Sequence, residues 1–402
     1  MAEAFLVGGA RTPVGRYGGA LSSVRPDDLA ALTIRRVIDD AGIDPELVDE
    51  VIFGNANGAG EENRNVARMA WLLAGLPNTV PGITVNRLCA SGMSAITIAS
   101  HMVKSGAADI VVAGGVESMS RAPWVMEKPA KAFAKPGATF DTSIGWRFTN
   151  PAFLSGELSR DGKATYSMPE TAEEVARVYN ISREDADQFA VESHAKSIAA
   201  IEAGRFKDEI VPVTISTRKG DIVVDTDEYI RDGATIDALG KLKPAFKKDG
   251  TVTAGNASGI NDGAAAIVLM TRSEAEKRGL KPLATIRSWA TAGVDPAIMG
   301  TGPIPASRKA LEKAGWTVKD LDLVEANEAF AAQAIAVNKD MGWDTSKVNV
   351  NGGAIAIGHP IGASGARVLV TLLHEMAKRD AKKGLATLCI GGGMGVAMCI
   401  ER

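Results

Sequence analysis

Cys89 stands in Asn86-Arg-Leu-Cys89-Ala-Ser-Gly-Met-Ser-Ala95, between a β-rich lead-in, Gly82-Ile-Thr-Val85, and a stretch from Ile96 to Lys104 with the pattern of an amphipathic helix. This order predicts a strand-to-helix turn that sets the sulfur at the positive end of a helix. The macrodipole and free backbone N–H groups there favour thiolate over thiol. A nucleophile and a small buried hydrophobe both fit such a cysteine, and this stretch alone leaves both open. His359 lies between Gly358 and Pro360 in Asn351-Gly-Gly-Ala-Ile-Ala-Ile-Gly-His359-Pro-Ile-Gly-Ala-Ser-Gly365, a loop with no other titratable group. Imidazole titrates near neutrality, so acid–base work is the favoured reading. Cys389 ends an apolar run before Gly391-Gly-Gly393, where reactive group and filler are equally open, and Asn327 follows the strand-like Asp322 to Ala326. All four fall at strand-to-loop junctions, where open α/β sheets carry their sites. Cys399, in an alternating apolar terminus, reads as core, and His101, His194 and His374 lie in helical patterns expected at the surface.

The elements that must hold these residues alternate strand and helix. Strands are predicted over Ala4–Val7, Val48–Gly54, Asp109–Gly115 and Ala264–Met270, and helices over Asp27–Ala41 and Asn65–Ala74. From about 119 to 250 the texture changes to an irregular Pro/Lys-rich stretch, a helical stretch over 170–203 and a β patch over 210–224. This segment is expected to be an inserted loop domain.

The second half then repeats the first. Ala41-Gly42 matches Ala314-Gly315, Asp49 matches Asp322, and Ala90-Ser-Gly92 matches Ala363-Ser-Gly365, each pair 273 positions apart (322 − 49 = 273). A constant offset with matching element types indicates a duplicated α/β unit, with equivalent turns of both halves around a shared cleft. The expected units are residues 1–118 with 251–280, the insertion 119–250, and 281–402.

Composition excludes several classes. The net charge is −3 with both signs interspersed, which gives no nucleic-acid or membrane footprint. Three unpaired cysteines and four scattered histidines offer neither a disulfide framework nor a zinc site, so no metal is expected. There is no GxxxxGK[ST], no GxGxxG in dinucleotide-binding context and no serine nucleophile elbow. No apolar run is long enough to span a membrane, the first residues lack a signal-peptide pattern and the last carry no peroxisomal signal, so a soluble cytoplasmic protein is expected.

Asn86-Arg-Leu-Cys89-Ala-Ser-Gly-Met, Asn327-Glu-Ala-Phe330, Gly352-Gly-Ala-Ile-Ala-Ile-Gly-His359-Pro and Cys389-Ile-Gly-Gly-Gly393 resemble the four signature blocks of the thiolases, in order and over the whole chain. The resemblance implies a duplicated five-layer α/β/α/β/α fold with an inserted loop domain. It implies that Cys89 becomes an acyl thioester, that His359 takes its proton and helps bind the thioester oxygen, and that Cys389 is the acid/base at the α-carbon. Asn327 would hold a water that forms one oxyanion hole with His359, and the backbone N–H groups of Cys89 and Gly391 the other. Acyl-CoA and CoA would be substrates with no further cofactor. Arg231 and Ser258 fall where relatives contact CoA, and Ser167-Met168 where they cover the acyl group. Arg231 to Arg402 resembles biosynthetic acetoacetyl-CoA thiolases, whereas Gly60–Arg68, Ser143–Phe148 and Ser167–Thr171 resemble 3-oxoadipyl-CoA thiolases, with Arg147 either a candidate for a distal carboxylate or a solvated loop arginine. A homotetramer joined through loops near Met126 to Thr142 is also implied.

Overall fold

The computed structural model describes residues 3–155 and 165–402. In the first half, β1 (Ala4–Arg11), α1 (Pro26–Ala41), β2 (Glu50–Gly54), α2 (Val66–Leu73), β3 (Gly82–Val85), α3 (Ser91–Ser105) and β4 (Ile110–Ser118) precede an insertion carrying α4 (Met168–Tyr179) and α5 (Arg183–Glu202). Strand β5 (Asn261–Thr271) closes that half. The second half contains β6 (Ala284–Gly293), α6 (Pro303–Ala314), β7 (Leu323–Ala326), α7 (Ala331–Met341), α8 (Ile361–Arg379), β8 (Lys383–Ile390) and β9 (Met394–Glu401).

The first sheet runs β3-β2-β4-β5-β1 and the second β6-β9-β8-β7. In each, pairing is parallel towards the outer edge (β3-β2 and β2-β4 in the first sheet, β8-β7 in the second), and the two pairs nearer the other half are antiparallel. A single parallel bridge, Val324 to Val348, stands where the first half has β3. The sheets meet where β1 and β6 pair over Phe5–Thr285 and Leu6–Ala284.

Alternation along the strands separates the layers. In β4, Ile110, Val112 and Val116 pack with α1 and α2 on the outer face, while Val111 and Ala113 face α3 and α8. Both faces are buried, so the strand is a continuous apolar run rather than an alternating one. A third core unites α6 and α7 with the outer face of the second sheet, and Cys399 lies there, buried as expected. Helices α3 and α8 thus form the middle of five layers.

The internal repeat is visible in single atoms. Helices α1 and α6 both end on a glycine with left-handed φ, Gly42 at 59° and Gly315 at 70°, the cap that only glycine makes without steric cost. Asp49 Oδ2 accepts from the N–H groups of Asp109 and Ile110 at 2.7 and 3.0 Å. Asp322 Oδ2 accepts from Lys382 and Lys383 at 2.8 and 2.9 Å, each partner shifted by the same 273 (382 − 109). The two middle helices cross reciprocally. A Cβ on Gly92 would lie 2.8 Å from Ala366 N, and one on Gly365 would lie 2.4 Å from Met93 N.

The helical stretch expected over 170–203 is two helices, broken where Asn180 turns left-handed at φ 48°. The β patch is the hairpin Val213–Thr217 with Gly220–Val224. His194, expected at the surface, is buried in α5, its Nδ1 accepting from Arg231 N–H at 3.2 Å. Helix α5 buries the face that carries Asp187, Ser193, His194 and Ser197, while Glu184, Asp185, Gln188 and Glu192 stay exposed. His374 is half-buried, its Nε2 2.9 Å from the Gly9 carbonyl oxygen, while His101 is exposed.

Candidate active site

Cys89 lies in the 3₁₀ turn Leu88–Ala90 that opens directly into α3. Leu88 carries φ 47°, a left-handed conformation unusual for a branched side chain. Ser91 holds this turn, its Oγ accepting from Arg87 N–H at 2.9 Å and donating to the Leu88 carbonyl at 2.7 Å. Strained backbone of this kind persists only where its surroundings impose it. Here it presents a half-buried Cys89 at the helix start.

The second-half turn after β8 meets this sulfur. Gly391 is the first residue of the turn after β8, where Gly392 and Gly393 take φ 81° and 83°. The backbone N–H groups of Gly391 and of Cys89 itself both point to the Cys89 sulfur and favour its thiolate. Burial outweighs them and pushes the thiol up to about 11. The N–H groups act in the direction expected of the helix start, and desolvation of a charged sulfur is the larger effect. Cys389 is fully buried at the end of β8, its thiol raised by burial and then by its neighbour Cys89. It shares an apolar cluster with Ala172, Val252, Met299, Ala329 and Phe330, and Met168 packs against that cluster. Leu88 and Met168 close over Gly391, where an added Cβ would lie 3.2 and 3.6 Å from them.

His359 reaches the site through the loop before α8. Gly358 takes φ 117°, and a Cβ there would strike Asn261 at 2.6 Å. Asn261, at the start of β5, accepts from His359 N–H at 2.9 Å and donates to the Gly15 carbonyl at 2.9 Å. His359 Nδ1 lies 2.6 Å from Ser364 Oγ and 3.5 Å from Asn327 Nδ2. Burial, helped by the charge of Arg367, pushes the imidazole down to about 3. The resting pair is neutral thiol and neutral imidazole. His359 Nε2 and Asn327 Oδ1 are buried with no hydrogen-bond partner among the described residues. Unpaired polar atoms are costly in a core, and two together mark a place built for a polar ligand.

Sequence reasoning missed the clamp between the halves. Glu117, at the end of β4, accepts from Ala56 N–H at 2.9 Å, Asn57 N–H at 3.2 Å and Gly362 N–H at 2.8 Å, and from the Asn55 amide at 3.2 Å. Its carboxyl is pushed up to about 7, chiefly by burial. The available signal was an acid ending a wholly apolar strand. Glu328 does the same for the His359 loop, accepting from Ser193 Oγ, Asn349 Nδ2 and Ile355 N–H at 2.7, 2.7 and 3.3 Å.

The remaining expected residues lie around this centre. Ser258 N–H donates to the Ala329 carbonyl at 3.0 Å, beside the bridge from Ala257 to Phe330. Arg231 stacks on Tyr229 at 5.0 Å and donates to its hydroxyl at 2.9 Å, and the Tyr229 ring abuts Gly259. Ser167 precedes Met168, but its hydroxyl donates to Glu170 at 2.7 Å in the cap of α4. Arg147 is half-buried, and its bonds among the described residues are long, 3.4 Å to the Gly145 carbonyl and 3.5 Å to Asn57 Oδ1.

A cysteine beside two inward N–H groups and a second thiol has parts that suit thiol-mediated acyl transfer. Residues 4–273 match the family model of the thiolase N-terminal domain and residues 280–402 that of the thiolase C-terminal domain. The chain belongs to the thiolase family and is an acyltransferase. It is 58% identical over 402 residues to acetyl-CoA acetyltransferase of Paracoccus denitrificans, covering 100% of both chains. It is 52% identical over 406 residues to the 3-oxoadipyl-CoA/3-oxo-5,6-dehydrosuberyl-CoA thiolase of Escherichia coli K12, again covering 100% of both. The crystal structure of Bacillus anthracis acetyl-CoA acetyltransferase superposes with a TM-score of 0.92 at 46% identity, covering 100% of this chain and 99% of that one. Among the described residues, no helix is long and apolar enough to cross a membrane.

Proposed function

We propose that the protein cleaves 3-oxoacyl-CoA with CoA, giving acetyl-CoA and a shortened acyl-CoA, and runs the condensation in reverse. The observations that carry this reading are the meeting of Cys89, Cys389 and the Gly391 N–H, and the buried, unpaired Nε2 of His359 and Oδ1 of Asn327 on two neighbouring side chains. Cys89 Sγ attacks the 3-oxo carbon as His359 takes the thiol proton. The bond between C2 and C3 breaks, and its electron pair stays on acetyl-CoA as the enolate, which takes a proton from Cys389. The CoA thiol then gives its proton to the Cys389 thiolate and attacks acyl-Cys89, and the shortened acyl-CoA leaves as the His359 imidazolium returns its proton to the Cys89 sulfur. Because thiol and imidazole both rest neutral, proton transfer accompanies attack rather than preceding it. Charge develops on a carbonyl oxygen and on the enolate oxygen. The N–H groups of Cys89 and Gly391 serve one, and His359 with an Asn327-held water the other.

Arg231 and Ser258 contact CoA on this reading, and Ser167-Met168 covers the acyl group. The acyl chain is a dicarboxylic one of the 3-oxoadipyl type, its distal carboxylate meeting Arg147, whose weak internal bonds leave its fork free for a bidentate partner. A second reading, condensation of two acetyl-CoA, is favoured by the relative at 58% identity. The protein works in the cytoplasm as a homotetramer through the segment 126–142, where Met126 and Phe133 are exposed. Thiolysis of acetoacetyl-CoA and 3-oxoadipyl-CoA side by side, with Cys89→Ala as blank, tests the assignment. Preference for 3-oxoadipyl-CoA, lost in Arg147→Ala, supports the first reading. Preference for acetoacetyl-CoA supports the second.

A further inference from the structure

Ser364 entered the sequence argument only as part of a repeated tripeptide, yet it touches the imidazole. It is fully buried in the first turn of α8. Its Oγ donates to the Pro360 carbonyl at 2.8 Å and lies 2.6 Å from His359 Nδ1. With the hydroxyl proton on Pro360, the oxygen offers Nδ1 a lone pair, so Nδ1 carries the ring proton and Nε2 is bare. Every proton in the chain then has an acceptor. Protonation at Nε2 instead would bury an N–H without a partner among the described residues, which is costly for a buried donor. The other ring contact, Asn327 Nδ2 at 3.5 Å, is too long to compete with one of 2.6 Å.

We propose that Ser364 is a positioning residue that fixes His359 as the Nδ1–H tautomer, leaving Nε2 free to take the Cys89 proton. This rests on the reading of His359 as the base. When Nε2 takes that proton, the imidazolium keeps its Nδ1–H on Ser364 Oγ, and no further proton moves. The partner of the other ring nitrogen decides which nitrogen can act, and loss of such a partner typically lowers activity about 10–100-fold.

The test is histidine-selective ¹⁵N NMR of the full-length protein, with thiolysis kinetics, on wild type, Ser364→Ala, Ser364→Thr and His359→Ala. The His359→Ala spectrum assigns the His359 signals. Expected are a protonated Nδ1 in wild type, loss of that signature in Ser364→Ala with kcat down about 10–100-fold at little-changed KM, and recovery of the signature in Ser364→Thr. A wild-type Nε2–H, or an unchanged tautomer and kcat in Ser364→Ala, overturns the proposal. Full activity in His359→Ala would instead overturn the base itself.

Discussion

Ser91 and Ser364 occupy equivalent places in the two halves, 273 positions apart (364 − 91), and serve different partners. Each donates its hydroxyl to a carbonyl a few residues back, Leu88 in one half and Pro360 in the other. Ser91 then accepts a backbone N–H and so shapes the turn that presents Cys89. Ser364 lies against an imidazole. Around them the frames agree, in the glycine-capped helices, the Asp49 and Asp322 latches and the reciprocal contacts of Gly92 and Gly365. The buried frame tolerates little change because every added atom meets a neighbour. The turns at the strand ends are packed as closely, as Gly358 against Asn261 shows, but they carry different side chains in the two halves, and chemistry has diverged there.

The sharpest break of this comparison is at the nucleophile. Cys89→Ala should lower thiolysis about 10⁴-fold or more, as removal of a covalent nucleophile does, whereas Cys399→Ala, in the outer core, should leave kcat within a few-fold and cost stability. At the opposite turn, His359→Ala should cost about 10²–10⁴ in kcat, the range of general acid–base catalysis. Equal, small effects at both turns would mean that neither carries the chemistry.

A pH experiment sharpens the electrostatic difference. Burial holds the Cys89 thiol near 11, so thiolate grows as pH rises towards that value. Iodoacetamide alkylation of Cys89 should climb roughly tenfold per pH unit from neutrality to about pH 10, because thiolate is the reacting form. A plateau below pH 8 would show that the helix start wins over desolvation after all.

The frame was legible in the sequence because it is written in short-range signals. Gly42 and Gly315 cap helices, apolar runs mark strands, and the offset links the halves. Cys89 and His359 stood out by their small-residue surroundings. The fixed contacts between distant segments were not legible. Asn261 holding His359 and Glu117 holding Gly362 each join residues that no local pattern relates, and Ser364, though only five residues from His359, meets the imidazole through the turn into α8. His194 shows the same limit, because its helix has a polar pattern and only the packing of the insertion covers it. The raised thiol of Cys89 is likewise a property of burial, which a local motif does not carry.

Two smaller effects test the shared frame. Gly365→Ala should destabilise by about 1–3 kcal/mol through overpacking against Met93, lowering Tm by several degrees in a thermal melt, and Gly92→Ala should match it. Because the two contacts form one crossing, the double variant should lose less than the sum. Asp49→Asn and Asp322→Asn should each cost about 1 kcal/mol in urea unfolding. Unequal losses would show that the repeat is geometric but no longer energetic.

The most direct test of the central claim is to mix the protein with acetyl-CoA, quench in acid and map the acylated peptide by mass spectrometry. Acetyl on Cys89 in wild type and none in Cys89→Ala is the result expected. Acetyl on Cys389 alone, or no acyl-enzyme while turnover proceeds, would contradict it.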